Sequence, residues 1–511
     1  MGQSPTWVYD EALGMTHLAA INNRTRERWM VAIFVVAIVL ARSAVFVLWE
    51  EAQFDADQAV MGLMAKHLSE GRAFPVFFYG SNHILAVQAW LAAPVFLLAG
   101  VSVTALKLPI LLINILIALL LLRGLERYAG LRPAIAWIPL LFFALPSPGT
   151  ASHILEASGG NVEPLLYALL LWMTRHRPAW CGLIFGIGFL QREFTLYALV
   201  ALLAIEGLQG TLFTRDGLKM RLSMLRVAAE VWVVAQLLRY SSSAAGPGTS
   251  IADLHRPHSN VTELAQRVCL DPQMIPVGFG RIVTDHWPVL FGTRPQPILD
   301  HSVATTLWQG MPFGWIILAA TMLLAAGGIL HRLVTDRAWR REYDFCAYLA
   351  LVGGLSVVGY VVGRCGAVDL LRYELLSLGG AVGLGGWFLV AVQSAAWRRV
   401  WLALACACAL ITAVPGARLL YDYTAHPRVG AKRLIARHLE ARGIKYASSD
   451  YWLAYSLTFL TDERVIVASE DFVRIAPYAT VVDQHGVEAV RILRSGCPGG
   501  TPAAGVYICP R

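Results

Sequence analysis

Long apolar blocks separated by short polar segments dominate the chain. The blocks are about 15 to 25 residues long, which is the length that a helix needs to cross a hydrocarbon core of about 30 Å. A helix also pairs its own backbone polar groups, as a segment in lipid must. Of 511 residues, 57% are hydrophobic and 15% are charged, so a soluble fold could not bury this much apolar surface. The sequence predicts an α-helical polytopic membrane protein.

Basic clusters predict the orientation of the chain. Arg24, Arg26 and Arg28 directly precede the first apolar block, and Lys and Arg are enriched on short cytoplasmic segments. Residues 1–29 are therefore expected to be a cytoplasmic N-terminal segment. The net charge of +8 is distributed over short clusters between apolar blocks, a pattern that does not indicate a nucleic-acid partner.

Placing every basic cluster on the cytoplasmic side gives about eleven membrane-spanning helices. They are predicted at 30–49, 106–122, 134–146, 162–174, 180–190, 194–208, 227–240, 305–330, 345–363, 375–395 and 400–415. The apolar segment 84–100 is interpreted as a surface or re-entrant helix, because a span there would place the basic cluster at 123–132 outside. The membrane domain is expected to cover 30–415. Its main outer loops are predicted at 50–105, 147–161 and 241–304.

After residue 415 the hydrophobic pattern changes to that of a small α/β domain at 416–511, expected outside the cytoplasm. An amphipathic helix, a strand, a second helix and a second strand are predicted at 430–442, 444–448, 451–460 and 464–468. Cys497 and Cys509 flank a Gly/Pro-rich turn in this domain. The residues alone leave open whether these two form a disulfide or stay as free thiols.

Two carboxylates, Asp55 and Asp57, follow the first predicted span and precede an aromatic and glycine-containing loop. Acidic side chains at the depth of lipid headgroups are costly and often functional. Two carboxylates this close would also couple, which raises the pKa of one of them. The alternative is a pair of interfacial acids, one of which caps a helix that begins near Gln58. The spacing by itself leaves both interpretations open.

Three further outer segments contribute candidate residues. Glu156 lies in the second outer loop and Glu163 starts the next span, where both are either functional acids or parts of a helix-capping segment. Arg192 lies in a very short outer turn, and Arg372 lies near the outer end of a later helix. Arginine offers a permanently charged fork that matches phosphate oxygens. The alternatives are an ion pair of Arg192 with Glu193 and snorkelling of Arg372 to lipid headgroups.

Four motifs mark the first outer loop. They are Asp57-Gln58-Ala59-Val60, Gly62-Leu63-Met64-Ala65, Phe78-Tyr79-Gly80-Ser81 and Gln88-Ala89-Trp90-Leu91. This loop resembles that of the GT-C superfamily of membrane glycosyltransferases, which includes protein O-mannosyltransferases, lipid A aminoarabinose transferases and uncharacterised bacterial relatives. The chain departs from the family pattern at Gln58, Ser81 and Gln88, where relatives have Glu, Gln and Glu. The first acid of the family motif is therefore present as Asp57, and the second is absent.

The resemblance implies an integral protein of the bacterial inner membrane. It would move a sugar from a polyprenyl-phosphate donor to an extracytoplasmic acceptor, with inversion, and the sugar and acceptor are not specified. Asp57 would be the general base that removes the acceptor's proton. Asp55 would be its neighbour or a metal ligand.

The other candidate residues receive roles from the same resemblance. Glu156 or Glu163 would help to bind the acceptor or a divalent cation, so a cation held by Asp57 and Glu156 stays open. The segment 371–376 resembles an Arg-Tyr-Leu-Leu-Pro element of the superfamily, which implies that Arg372, alone or with Arg192, holds the donor phosphate. Tyr79 and Gln88 belong to the motifs that would contact the acceptor or donor.

The aromatic motif Ser449-Asp450-Tyr451-Trp452-Leu453-Ala454-Tyr455 lies outside these segments. It resembles the soluble domain of some bacterial relatives, and we interpret it as part of a packed core.

A transporter or flippase of a lipid-linked sugar is the alternative function, since it would also need basic residues for the phosphate. Such proteins place polar residues near the membrane midplane, often on broken helices and within internal repeats. In this chain the acids and the long loops are predicted on one face, and no internal repeat is evident. The sequence therefore favours the enzyme.

Overall fold

The computed structural model describes residues 7–49, 53–81, 84–239, 271–293, 313–336, 339–363 and 371–510. Parts of the predicted outer loop 241–304 and of the predicted span 305–330 lie outside these described residues, as do short stretches of the first outer loop.

Helices make up most of the described chain before residue 426. They are α1 (Trp7–Leu48), α2 (Ala56–Ser69), α3 (Val87–Ala99), α4 (Val103–Arg127), α5 (Pro133–Ala144), α6 (Pro148–His153), α7 (Glu163–Thr174), α8 (Pro178–Gln191), α9 (Thr195–Leu208), α10 (Arg215–Arg239), α11 (Met274–Arg281), α12 (Trp287–Leu290), α13 (Gly314–Asp336), α14 (Asp344–Val362), α15 (Leu376–Ala391) and α16 (Ala395–Ala425). A π-helical turn, Ile282–His286, joins α11 to α12, and 3-10 turns at Arg341–Tyr343 and Leu371–Glu374 precede α14 and α15.

Each predicted span overlaps one of these helices. Among the described residues, five helical segments are long and apolar enough to cross a membrane: Arg24–Leu48, Val103–Arg127, Gly314–Asp336, Arg341–Val362 and Ala395–Ala425. Shorter apolar helices pack among them, including α5, α7, α8, α9 and α15. The prediction of a helical membrane protein is confirmed at this level. The number of eleven spans stays a prediction.

The segment interpreted as a surface or re-entrant helix forms α3, which packs between α2 and α4. One face carries Gln88, Ala89 and Phe96, which are buried, while Leu97 and Leu98 are 70% and 90% exposed. Such a helix is suited to lie at the edge of the protein, with its exposed leucines against lipid and its buried face against α2 and α4.

The C-terminal residues 426–510, here called the C-terminal module, contain three helices and a five-stranded mixed sheet. In chain order the elements are α17 (Ala431–Ala441), β1 (Tyr446–Ser449), α18 (Tyr451–Leu460), β2 (Ile466–Ser469), α19 (Ala476–Gln484), β3 (Val490–Leu493), β4 (Thr501–Ala503) and β5 (Val506–Pro510). The strand order is β2-β1-β3-β5-β4; β1 is parallel to β2 and β3, and β5 is antiparallel to β3 and β4. A disulfide joins Cys497 to Cys509, so the alternative of free thiols is wrong.

The C-terminal module packs directly on α2, the helix of the first outer loop. The Phe459 ring lies against Gly62, and a β-carbon at residue 62 would approach it to 2.4 Å. The same ring packs on Phe54 and Phe96, with centroid distances of 5.5 and 6.3 Å. A glycine at this position therefore allows the module to approach the backbone of α2 closely.

Candidate functional site

Asp55 caps the helix on which the first acidic motif lies. Its Oδ1 accepts a hydrogen bond from the backbone amide of Gln58, 3.0 Å away. This satisfies one of the unpaired amides at the start of α2. The helix begins at Ala56, two residues earlier than predicted, because the cap lies at Asp55. The capping role that the sequence left open thus belongs to Asp55, whereas Asp57 lies in the first helical turn.

The environment of Asp55 opposes its ionisation. Burial, followed by the nearby charges of Glu156 and Asp57, raises the pKa of Asp55 from 3.8 to about 6. The Gln58 amide and the ammonium of Lys432 act in the opposite direction but are outweighed. Asp55 is therefore close enough to Asp57 and Glu156, from two predicted outer loops, to be influenced by both.

Asp57 is hydrogen-bonded to a residue of the C-terminal module. The hydroxyl of Tyr451 donates to Asp57 Oδ1 over 2.5 Å. The two residues are 394 positions apart in the chain. The sequence predicts that Tyr451 is part of a packed core, and it carries no signal for this contact, because no local pattern relates segments so far apart.

Glu156 lies at the centre of a buried polar network. Its Oε1 accepts from His153 Nδ1 at 2.7 Å and from Gln53 Nε2 at 2.6 Å, and its Oε2 accepts from Asn161 Nδ2 at 2.5 Å. Burial alone would raise the pKa of Glu156, but His153, Gln53 and the charge of Arg372 outweigh it and lower that pKa. Burial by itself would lower the pKa of His153. The charge of Glu156 and its hydrogen bond to His153 outweigh this effect of burial, so the pKa of His153 is raised. The two side chains form a charged pair.

Arg372 is a cation of this group that solvent can reach. It lies in the 3-10 turn Leu371–Glu374, is partly exposed, and acts electrostatically on both Glu156 and His153. A partly exposed guanidinium beside buried acids can bind an oxyanion without leaving its position. The structure thus brings together Asp55, Asp57, Glu156 and Arg372, four residues that the sequence analysis selected from three separate segments.

Glu163 belongs to a neighbouring cluster. Its Oε1 accepts hydrogen bonds from Gln88 Nε2 and, at 3.3 Å, from Gln191 Nε2. Gln88 Oε1 in turn accepts from the Gly159 amide at 2.7 Å. An amide at position 88 can donate to one group and accept from another, whereas a carboxylate would face Glu163 with like charge. Glutamine at position 88, where the family pattern has glutamate, therefore suits both of its partners in this chain, the Glu163 carboxylate and the Gly159 amide.

Arg192 lies beneath the second outer loop and is 9% exposed. Its Nη2 donates to the Ser158 carbonyl at 3.4 Å, and its charge acts on Glu163. A β-carbon at Gly160, whose φ is +104°, would lie 2.7 Å from Arg192 Cγ. The glycine lets the loop close over the arginine. Arg192 is thus placed to support the second loop, while Arg372 has the greater access to solvent.

Tyr79 lies apart from the acids. Its hydroxyl is 3.0 Å from His67 Nδ1, and His67 Nε2 is 3.1 Å from Glu463 Oε1 in the C-terminal module. Burial and the charge of Glu463 raise the pKa of Tyr79, so its hydroxyl stays protonated. The structure places Tyr79 in the contact between the first outer loop and the module.

The described residues bear on whether a cation could lie at the acids. They contain no group of three or more His, Cys, Asp or Glu side chains that could hold a metal ion. Both oxygens of Glu156 already accept hydrogen bonds, and Asp55 Oδ1 and Asp57 Oδ1 are also engaged. A cation held by Asp57 and Glu156 stays a prediction, and we assign no step to one.

Comparison with known proteins gives limited similarity. No family model matches the chain, and no curated protein matches it. A solved structure of ArnT from Cupriavidus metallidurans in the apo state is 13% identical, with a TM-score of 0.43, and the match covers 94% of this chain and 97% of that chain. The structure of ArnT from the same organism bound to undecaprenyl phosphate is 14% identical, with a TM-score of 0.42 and the same coverage.

Proposed function

We propose that the protein is a glycosyltransferase that moves one sugar from a polyprenyl-phosphate-linked donor to an acceptor outside the cytoplasm. The observation that carries this proposal is the convergence of Asp55, Asp57 and Glu156 with Arg372 beside the first outer loop. A lipid-phosphate sugar needs a base for the acceptor and a cation for the phosphate on the same face of a membrane protein. The long apolar helices provide the lipid environment that such a donor requires.

In the proposed reaction, an acceptor hydroxyl or amine attacks the anomeric carbon of the sugar. The new bond forms as the bond between that carbon and the phosphate oxygen breaks, and the electron pair leaves with the polyprenyl phosphate. Asp57 takes the acceptor's proton. Direct displacement from one side inverts the anomeric centre.

The remaining residues stabilise charge in this step. Arg372 balances the negative charge that develops on the leaving phosphate, a kind of stabilisation that often contributes most to catalysis. The charged pair of His153 and Glu156 keeps one carboxylate ionised and hydrogen-bonded, so that it does not compete with Asp57 for the acceptor's proton. Asp55 holds the first turn of α2, and with it the backbone of Asp57.

The test is sugar transfer by the purified protein in detergent. A panel of radiolabelled polyprenyl-phosphate hexoses and pentoses is supplied with a native lipid extract as acceptor, and label in the product is measured. We expect transfer from at least one donor, and a loss of at least about 100-fold in Asp57→Asn, which is typical for removal of a general base. Asp483→Asn makes the same change at an exposed carboxylate on α19 and should transfer normally.

The outcomes separate two functions. Transfer that depends on Asp57 but not on Asp483 supports the enzyme. Labelled lipid that crosses the membrane of reconstituted vesicles without transfer, equally in wild type and Asp57→Asn, would reject the enzyme in favour of a transporter or flippase.

A further inference from the structure

Tyr451 is held rigidly within the C-terminal module. It is the first residue of α18, and its neighbour Asp450 caps that helix by accepting from the amides of Trp452 and Leu453 at 3.0 and 3.2 Å. The Tyr451 amide donates to Asp471 Oδ1 at 2.8 Å. The first three backbone amides of α18 are therefore all paired with side-chain carboxylates.

The Tyr451 ring is packed on several sides and is 6% exposed. Its centroid lies 5.3 Å from that of Tyr455 and 5.5 Å from that of Phe472. Burial and the negative charge of Asp57 raise the pKa of Tyr451, which keeps its hydroxyl protonated. The hydroxyl is therefore the donor and the Asp57 carboxylate the acceptor of the bond between them.

Charged contacts around the tyrosine fix the module to the first outer loop. Lys66 Nζ lies 3.1 Å from Glu463 Oε2 and 2.6 Å from Asp462 Oδ1, and the Lys66 and Glu463 side chains are nearly buried. Near the acids, Lys432 Nζ donates to the Phe54 carbonyl at 2.6 Å. Arg474 Nη1 donates to the Gly80 carbonyl at 3.0 Å. Contacts at several points around Tyr451 leave its hydroxyl little freedom relative to α2.

We propose that Tyr451 is a positioning residue of the active site, supplied by the C-terminal module, and that its hydroxyl orients the Asp57 carboxylate for proton transfer. Tyr451 engages Oδ1, and Oδ2 is the oxygen that takes the acceptor's proton. The inference rests on the proposed function, because it assigns Asp57 as the base. It makes the module a required part of the catalytic centre, and gives a role to an aromatic motif that a packed core alone does not explain.

The first test does not depend on activity. Hydrogen exchange is followed by mass spectrometry on the purified full chain, in peptides that cover residues 53–63. We expect Tyr451→Phe to increase exchange in this peptide about 10-fold, since one side-chain anchor of the first turn of α2 is lost. Tyr446→Phe removes the same atom from a tyrosine elsewhere in the module, stacked on His485 at 4.0 Å, and should leave the peptide unchanged. Unchanged exchange in the β1–β2 peptides of Tyr451→Phe confirms that the module is folded.

The second test is kinetic. Tyr451→Phe should lower kcat about 10- to 100-fold, the effect expected for one hydrogen bond to a charged group, while the KM for the donor stays within about 2-fold. Such a division between kcat and KM is expected of a residue that orients the base, and not of one that only supports donor binding.

Each outcome bears on the proposal separately from the proposed function. A higher kcat in Tyr451→Phe would overturn it, because the hydroxyl would then be blocking the base. Unchanged kcat and unchanged exchange would also overturn it. If the wild type transfers no sugar from any donor, the proposed function fails, and the exchange experiment alone decides whether Tyr451 holds Asp57: equal exchange in Tyr451→Phe and wild type rejects that contact.

Discussion

Replacing Asp55 by Asn should stabilise the protein at neutral pH. The folded site raises the pKa of Asp55 from 3.8 to about 6, mainly by burial and then by the charges of Glu156 and Asp57. Ionisation at neutral pH is therefore opposed by about 3 kcal/mol, since one pKa unit corresponds to about 1.4 kcal/mol. Asparagine is as good a helix cap as aspartate, so the bond from the Gln58 amide is kept.

Two effects reduce this gain. An uncharged cap loses its favourable interaction with the helix dipole, which is worth about 0.3–1 kcal/mol. Asp55 is also partly exposed, and solvent screens part of the repulsion. We therefore expect Asp55→Asn to raise the free energy of unfolding by about 2 kcal/mol at pH 8.

The sign of the pH dependence follows from proton linkage. With a pKa of about 6 in the folded protein against 3.8 ordinarily, the folded state binds the Asp55 proton more tightly than the unfolded chain. That stabilisation is fully present below pH 3.8 and is lost as the pH rises through about 6. The weakening of the wild type relative to Asp55→Asn therefore develops between pH 3.8 and about 6, and it is nearly complete above that range. At pH 4.5 the advantage of the variant should fall below about 1 kcal/mol.

The assay is thermal or denaturant unfolding of the purified protein in one detergent at pH 4.5 and pH 8. Asp450→Asn is the matched control, because Asp450 also caps a helix and its carboxylate faces Arg494 at 3.4 Å. This control should show no gain at either pH. An Asp55→Asn variant that is no more stable than wild type at pH 8, or equally stabilised at both pH values, would refute the reasoning.

Two further substitutions test the packing around the site. Glu156→Gln should lower the free energy of unfolding by about 3–5 kcal/mol at neutral pH, because it leaves buried, protonated His153 without its anion. The loss should shrink at alkaline pH, where His153 is neutral, and a pH-independent loss would contradict this cause. Gly62→Ala should weaken the packing of the module on α2 by about 1–3 kcal/mol of free energy, because the added carbon would clash with Phe459. The measurement is the rate of proteolysis in the segment before α17, which should rise in Gly62→Ala. Gly207→Ala is the control and should behave as wild type, because no atom lies within 4 Å of a β-carbon added at Gly207.

Much of the fold follows from local patterns in the sequence. The apolar blocks coincide with helices because a segment of that length and hydrophobicity pairs its backbone internally in lipid. In the C-terminal module, α17, β1, α18 and β2 occur where hydrophobic periodicity and turn residues predict them. The last three strands and α19 are not among the elements that the sequence predicts. One of them, β4, spans three residues, which are too few for a hydrophobic pattern to be distinguished from loop.

The candidate site was only partly accessible to the same reasoning. The cost of acids beside membrane spans points to Asp55 and Asp57. The family resemblance points to Glu156 and Arg372, and the match between guanidinium and phosphate supports Arg372. Which of them share one site could not be deduced from their positions. Tyr79 comes from a motif of the family resemblance, and the tertiary structure pairs its hydroxyl with His67 in the contact with the module.

By itself, the sequence determined much of the local structure of this protein: helices from length and hydrophobicity, and a separate α/β region from the change in periodicity. Only the tertiary structure decided that Tyr451 meets Asp57 across 394 residues, and that Gln88 pairs with Glu163. The physical reason is that backbone preferences depend on neighbours along the chain, whereas a buried polar group takes whichever partner the packing of distant segments brings within hydrogen-bond distance.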